Sequence, residues 1–361
     1  MRNSQFEIAV LPGDGIGVEV MESCLAVLDA LAAGAGLGFA WRRVEGGART
    51  YEATGTAFSD DSMRAAEAAD AILFGAMGWP DIRYPDGREI APQLDIREHL
   101  ELYAGVRPIR PLPGLPSPLA DPRASEIDLV VIREQTEGLF FTRGAGTVVG
   151  DEYAEDSIRI TRKGSERLFD FAFRLARQRR GRGGKNQVTI VDKSNVLRSM
   201  AFMRKVFDER ARANPDVVAD HVYIDAAALN LVRHPWAYDV MVTENQFGDI
   251  LSDLAAGLVG GMGMAPSADI GDDHALFQPC HGSAPDIAGT GKANPTAMLL
   301  SAALMLDWLG ERHGEARCTE SAERLRRAID RSFASRQVVP FEFGGKDGTA
   351  AITRAVIENL G

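Results

Sequence analysis

The sequence predicts an α/β protein, and three observations carry that prediction. Short apolar runs alternate with amphipathic helical stretches, several of those runs end in polar motifs, and the 45% apolar content of the 361 residues matches a globular chain. Strands are expected near 6–11, 71–77, 127–132, 188–191 and 239–243. Helices are expected near 17–33, 165–180, 196–213, 247–259 and 294–309. At this length the chain can fill two domains.

The first strand, around Ile8-Ala-Val-Leu, opens into Leu11-Pro-Gly-Asp-Gly-Ile-Gly17. The glycine fingerprint of a dinucleotide site fails because Val18 stands where its last glycine belongs, so this is not a Rossmann signature. Gly13, Gly15 and Gly17 at a helix start still allow close backbone approach and free amides for an anion or cofactor, and a tight structural turn reads equally well. Arg107 to Pro122 holds too much proline for helix or central strand and reads as a connector. The run Ile127-Asp-Leu-Val-Val-Ile ends at Arg133, and Ile190-Val-Asp ends at Lys193. Strand ends are where α/β proteins place ligands. The irregular stretch Thr142-Arg-Gly-Ala-Gly-Thr-Val-Val-Gly150 leaves the core. The basic run Arg177–Lys185 follows an apolar helical stripe, where cations at a helix C-terminus suit the macrodipole.

Met241-Val-Thr-Glu-Asn-Gln-Phe-Gly-Asp-Ile-Leu-Ser-Asp-Leu is the most informative stretch, a buried strand running into a helix. Asp249 and Asp253 lie one turn apart on one face, so their like charges call for compensation. A solvated acidic face gives the same spacing, but a hard divalent cation such as Mg²⁺ or Mn²⁺ takes such oxygen ligands. Asp225 in Tyr223-Ile-Asp-Ala offers a third oxygen. Arg97, Arg107 and Arg133 are forked donors suited to a polycarboxylate. A net charge of −11 argues against a nucleic-acid partner, and no membrane segment or signal-peptide core precedes the first strand. Cys24, Cys280 and Cys318 are scattered and odd in number, which predicts reduced thiols and a cytoplasmic protein.

Taken in order, Leu11-Pro-Gly-Asp-Gly-Ile-Gly, Arg97 with Arg107, Arg133-Glu-Gln-Thr-Glu-Gly, Val191-Asp-Lys-Ser-Asn-Val-Leu, Tyr223-Ile-Asp-Ala, Asn245-Gln-Phe-Gly-Asp-Ile-Leu-Ser-Asp and His281-Gly-Ser-Ala-Pro-Asp-Ile-Ala-Gly resemble the isocitrate/isopropylmalate dehydrogenase family over nearly the whole chain. The resemblance implies that family's α/β fold rather than a Rossmann domain. It implies a large discontinuous domain over 1–102 and 260–361, and a small domain over 103–259 with a dimer arm at about 142–160. It also implies a homodimer or dimer of dimers with shared active sites. The chemistry implied is hydride transfer from a 2-hydroxy di- or tricarboxylate to NAD(P)⁺, followed in most members by loss of the C3 carboxylate.

By the same resemblance Asp249 and Asp253 bind metal on one subunit, while Asp225 and the general base Lys193 come from the other. Arg97, Arg107 and Arg133 hold substrate carboxylates. His281, Gly282, Ser283, Ala284, Asp286, Ile287 and Asn294 form the cofactor loop, and Asp286 at the adenosine ribose favours NAD over NADP because it would repel a 2′-phosphate.

Two positions depart from the family pattern. Phe140 stands where a tyrosine normally helps protonate the enol carbon, so another group or a water supplies the proton, protonation is slow, or the reaction stops at oxidation. Ala91, Gln93 and Leu94 match neither the leucines of isopropylmalate enzymes nor the serine and asparagine of isocitrate enzymes. Gln93 favours a polar substituent, because an unpaired buried amide penalises an isopropyl group. D-malate-like or tartrate-like acids therefore rank first. Trp79 either narrows this pocket or packs in the core. A non-catalytic subunit is the rival reading, against which all the charged site residues stand.

Overall fold

The computed structural model describes residues 4–361. In chain order its elements are β1 (Ser4–Gly13), α1 (Ile16–Ala35), β2 (Leu37–Arg43), α2 (Ala48–Thr54), α3 (Asp60–Ala68), β3 (Ala71–Ala76), α4 (Pro92–His99), β4 (Ala104–Ile109), β5 (Leu129–Glu134), β6 (Thr147–Val149), β7 (Tyr153–Glu155), α5 (Arg162–Arg180), β8 (Gln187–Asp192), α6 (Arg198–Ala213), β9 (Val218–Tyr223), α7 (Ile224–Arg233), β10 (Val240–Thr243), α8 (Asn245–Gly257), β11 (Pro266–Ile270), β12 (Ala275–Pro279), α9 (Thr296–His313), α10 (Ala316–Ala334) and α11 (Thr349–Glu358). Contacts divide them into two compact units. The first comprises residues up to 100, 112–116 and 260–361, and the second 101–111 and 117–259.

In the first unit the strand order is β2-β1-β3-β12-β11, parallel except for the antiparallel β11–β12 pair. That is not the 3-2-1-4-5-6 order of a Rossmann sheet. Apolar runs such as Ile72-Leu73-Phe74 are buried throughout, as strands covered on both faces require. The glycine turn after β1 is structural. Asp14 donates its N–H to Ala76 O, Ile16 to Ser283 O and Gly17 to Asp14 O, which spends amides that a bound anion would need. A Cβ on Gly15, whose φ is 57°, would lie 2.0 Å from Ser283 O. Trp79 packs with Tyr51, Ile82 and Tyr84 against Ala48, Ala57 and Ile90, and the Arg49 guanidinium lies 4.0 Å from its ring centroid.

In the second unit the order is β4-β5-β10-β8-β9, with β4–β5 antiparallel and the rest parallel. The carboxyl ends of β5, β10, β8 and β9 therefore line up side by side. β4 corrects the reading of Arg107–Pro122, since Arg107, Pro108 and Ile109 belong to a strand. Val130, opposite Pro108, spends its N–H on Asp239 O. The Pro108–Val130 pair thus exchanges no hydrogen bond, and the missing proline N–H costs it nothing. The excursion after Thr142 is an exposed hairpin of β6 and β7. Thr161 caps α5 by accepting the Gly164 N–H, and the basic run at its other end is paired: Arg177 meets Asp216 at 2.6 Å and Arg179 meets Asp239 at 2.6 Å.

Candidate active site

The junction of β10 and α8 builds the centre of the second unit's polar edge. Glu244 caps α8 by accepting the Phe247 N–H at 2.7 Å, which leaves Asn245, Asp249 and Asp253 on successive turns. Gly248 lets this helix lie against β5, because a Cβ there would sit 2.6 Å from Arg133 Cβ. Arg133 is buried; its Nε and Nη2 donate to Asn245 Oδ1 at 2.9 and 2.8 Å, and its Nη1 pairs with Asp249. Asn245 in turn donates to Glu137 O at 3.1 Å. The expected compensation of the two aspartates is thus partly supplied by the protein. Asp253 is exposed in outline, yet burial pushes its carboxyl up, and the Asp249 charge pushes the same way against Arg107 and Arg133. Two carboxylates one helical turn apart, Asp253 exposed and Asp249 half-exposed, are a donor set that suits Mg²⁺ or Mn²⁺.

Lys193, following β8, lies 2.5 Å from Asp225 Oδ1 on α7, and this ammonium holds the Asp225 carboxyl below the usual range. Among the described residues no group of three or more His, Cys, Asp or Glu side chains forms a metal-binding cluster. Asp225 therefore does not complete a ligand set with Asp249 and Asp253 inside one chain. Phe140 lies in a turn of 3₁₀ helix over 139–142, its ring centroid 5.3 Å from the Arg133 guanidinium. The Glu244 carboxyl sits beneath this turn, so that a Cβ on Gly138 would be 2.6 Å from Glu244 Oε2.

The remaining expected residues are on other elements. Arg107 is buried on β4. Arg97 is buried on α4 in the first unit, its Nε donating to Asp269 Oδ2 at 2.8 Å. Gln93, one turn earlier on the same helix, has a buried Oε1 with no hydrogen-bond partner.

The cofactor loop is also in the first unit. His281 Nδ1 lies 2.9 Å from Gly282 O, its Nε2 is buried without a partner, and burial pushes its pKa down. Asp286 is exposed and a Cβ on Gly282 would meet nothing within 4 Å, which leaves this edge accessible to a nucleotide. Ser283 is instead committed to the fold, its Oγ donating to Gly78 O at 2.5 Å. Ala284, at φ 36°, turns the loop by accepting the Ile287 N–H. Asn294 donates to Glu342 at 2.8 Å and accepts from both Thr296 N and Oγ1, so its side chain shapes the loop. An orphaned imidazole nitrogen and an exposed acid on the same loop fit NAD.

Sequence reasoning passed over Asn245 as a ligand of Arg133, and over Glu244, Asp269 and Gln278. Charged or amide residues at the end of, or within, apolar strands were the available signal: Glu244 directly follows β10, Asp269 lies in β11 and Gln278 in β12.

Residues 7–360 match the sequence model of isocitrate/isopropylmalate dehydrogenase. The chain belongs to the isocitrate/isopropylmalate dehydrogenase family. It is 39% identical to a 3-isopropylmalate dehydrogenase of Aquifex aeolicus, over 99% of this chain and 97% of that protein. It is 40% identical to a 3-isopropylmalate/3-methylmalate dehydrogenase of Methanocaldococcus jannaschii, over 98% of each. Among solved structures it resembles isocitrate dehydrogenase from Methylococcus capsulatus, with a TM-score of 0.86 at 35% identity over 98% of this chain and 99% of that one. The apo β-decarboxylating dehydrogenase of Thermococcus kodakarensis gives 0.79 at 36% identity, over 98% and 96%. Members of the family are oxidoreductases that use NAD and Mg²⁺ or Mn²⁺.

Proposed function

We propose that the chain oxidises a 2-hydroxy diacid with NAD⁺ and Mg²⁺ or Mn²⁺, releasing the C3 carboxylate as CO₂. The observation that carries this reading is the joining of Arg133, Asn245 and Asp249 at the carboxyl ends of parallel strands, with Asp253 one turn beyond. Asp249 and Asp253 would hold the cation, with Asp225 from a second copy. When bound, the cation polarises the 2-hydroxyl and spreads the charge left by CO₂ loss. Lys193 takes the hydroxyl proton. Its Nζ is taken up by Asp225 in this chain, so Lys193 acts once Asp225 is engaged elsewhere. Arg97, Arg107 and Arg133 hold substrate carboxylates, and Asp286 holds the ribose hydroxyls of NAD. A homodimer, or a dimer of dimers, suits the exposed apolar side chains of the second unit, among them Val148, Leu229 and Ile250. No helix among the described residues is long and apolar enough to cross a membrane, which is compatible with a cytoplasmic enzyme.

The partnerless Gln93 Oε1 favours a C3 substituent that can hydrogen-bond, as in a tartrate-like acid or a small malate-like acid with water. The names of the relatives favour a second reading, 3-isopropylmalate or 3-methylmalate. NAD⁺ reduction with Mn²⁺ across D-malate, both tartrates, isocitrate, homoisocitrate and 3-isopropylmalate, with CO₂ measured in the same tubes, separates them. The highest kcat/KM should fall on a malate or tartrate with CO₂ matching NADH. Preference for 3-isopropylmalate overturns the role given to Gln93. NADH without CO₂ makes the enzyme a plain dehydrogenase, and metal-tightened binding without turnover makes it a non-catalytic subunit.

A further inference from the structure

Arg97 does not stand alone in the first unit. On the antiparallel pair β11–β12, Asp269 is opposite Leu276 and Ser267 is opposite Gln278, so Asp269 and Gln278 are diagonal neighbours on one face. Gln278 Nε2 donates to Asp269 Oδ2 at 2.8 Å, and Arg97 Nε donates to the same oxygen at 2.8 Å. The Asp269 side chain is fully buried, and Arg97 and Gln278 are each less than a tenth exposed. A carboxylate is placed at such a depth only with partners to hold its charge. Its bond at Nε fixes the plane of the guanidinium, and that plane decides how the fork can meet a second carboxylate. Gln93, with its unpartnered oxygen, is four residues before Arg97 and so shares its helix face.

We propose that Asp269 and Gln278 are positioning residues for substrate recognition, a buried clamp that orients Arg97 toward the substrate carboxylate on the side read by Gln93. The proposal rests on the reading that Arg97 binds that carboxylate. Neither Asp269 nor Gln278 touches the substrate; both act through the guanidinium.

The test uses the full-length enzyme with Mn²⁺. The readouts are KM for the best hydroxy acid, KM for NAD⁺, the thermal midpoint, and calorimetric binding of malonate as an unreactive dicarboxylate. Asp269→Asn should raise the acid KM and weaken malonate binding about tenfold or more, the loss expected for a charged hydrogen bond, while KM for NAD⁺ stays within about twofold. The double variant Asp269→Asn/Gln278→Glu returns a carboxylate to Arg97 from the neighbouring strand and should recover most of that loss. Gln278→Leu leaves the Arg97–Asp269 pair in place and should raise the acid KM by about three- to tenfold, the scale of one neutral hydrogen bond. An acid KM unchanged in Gln278→Leu overturns the clamp even where Asp269→Asn fails to fold. A folded Asp269→Asn that moves both KM values together, or a folded double variant without recovery, also overturns it. Wild-type protein that binds malonate but turns over no acid overturns the proposed reaction alone, and wild-type protein that binds no dicarboxylate overturns both.

Discussion

Arg97 and Arg133 are both buried, and each meets a carboxylate, yet the two ion pairs differ in kind. Asp269 is wholly buried and shares its Oδ2 with Gln278, whereas Asp249 leaves 48% of its side chain exposed and lies one helical turn from another aspartate. Removing one partner of a buried pair strands a charge and costs about 3–5 kcal/mol. A half-exposed pair can be exchanged against water and ions at little cost. The first pair therefore holds an orientation, and the second is the one that a cation and a substrate carboxylate can replace. Charge complementarity within the bare protein is thus a poor guide to function until burial is taken into account.

The most severe way to break that contrast is to remove the exchangeable carboxylate. Asp249→Asn should lower Mn²⁺-dependent turnover by about 10³-fold or more, because the cation contributes several kcal/mol to the barrier, and calorimetry should show Mn²⁺ binding lost. Unchanged activity would sink the assigned site. Removing the cationic partner sharpens the contrast. Arg133→Gln should raise the acid KM by about 100-fold, since a charged hydrogen-bonding fork is lost, yet tighten Mn²⁺ binding to the substrate-free protein several-fold. Weaker Mn²⁺ binding in that variant would mean that Arg133 does not compete with the cation for Asp249.

Much of the second unit's edge was legible in the sequence because strand ends announce themselves. Arg133 and Lys193 each end an apolar run, and helical spacing alone puts Asp249 and Asp253 on one face. The Asp269 clamp was not legible, since residues 97, 269 and 278 are joined only by strand pairing that periodicity does not encode. β9 was missed because Val218-Ala-Asp-His-Val-Tyr is polar and exposed, and β4 because Pro108 argued against a strand whose hydrogen-bond register could not be known. At the glycine turn after β1 the sequence left two readings level, a ligand site and a structural turn. In the structure the carbonyls of Ala76, Ser283 and Asp14 take the N–H groups of Asp14, Ile16 and Gly17, which favours the turn.

Phe140 separates the two arginines further, because its ring stands 5.3 Å from the Arg133 guanidinium without a hydroxyl to offer. Phe140→Tyr should raise kcat by up to about tenfold where protonation of the enol carbon limits, with CO₂ still matching NADH, a modest share of what general acid catalysis supplies. An unchanged kcat would point to a different donor, and NADH without CO₂ in both proteins to a reaction that ends at oxidation.

Glu244 supplies the smallest test, since it is a buried carboxyl like Asp269, but one of its oxygens has no partner. Burial pushes its pKa up, against the N–H groups of Phe247, Gln246 and Leu139 and the Arg133 charge. The folded state therefore holds the proton more tightly than the unfolded chain, whose glutamates titrate near about 4.3. Its stabilising contribution is complete below that value and is lost as pH rises through the folded pKa. Glu244→Gln cannot titrate, so the stability of the variant relative to wild type should rise between pH 5 and pH 8, by about 1 kcal/mol at most. Glu244→Ala should instead lose about 1 kcal/mol even at pH 5, because the cap of α8 is gone. Denaturant unfolding of the three proteins at both pH values decides the matter. A relative stability of Glu244→Gln that falls with pH would show that Glu244 is held as a charged partner, as Asp269 is, and that the contrast between a paired and an unpaired buried carboxyl does not extend to the helix carrying Asp249.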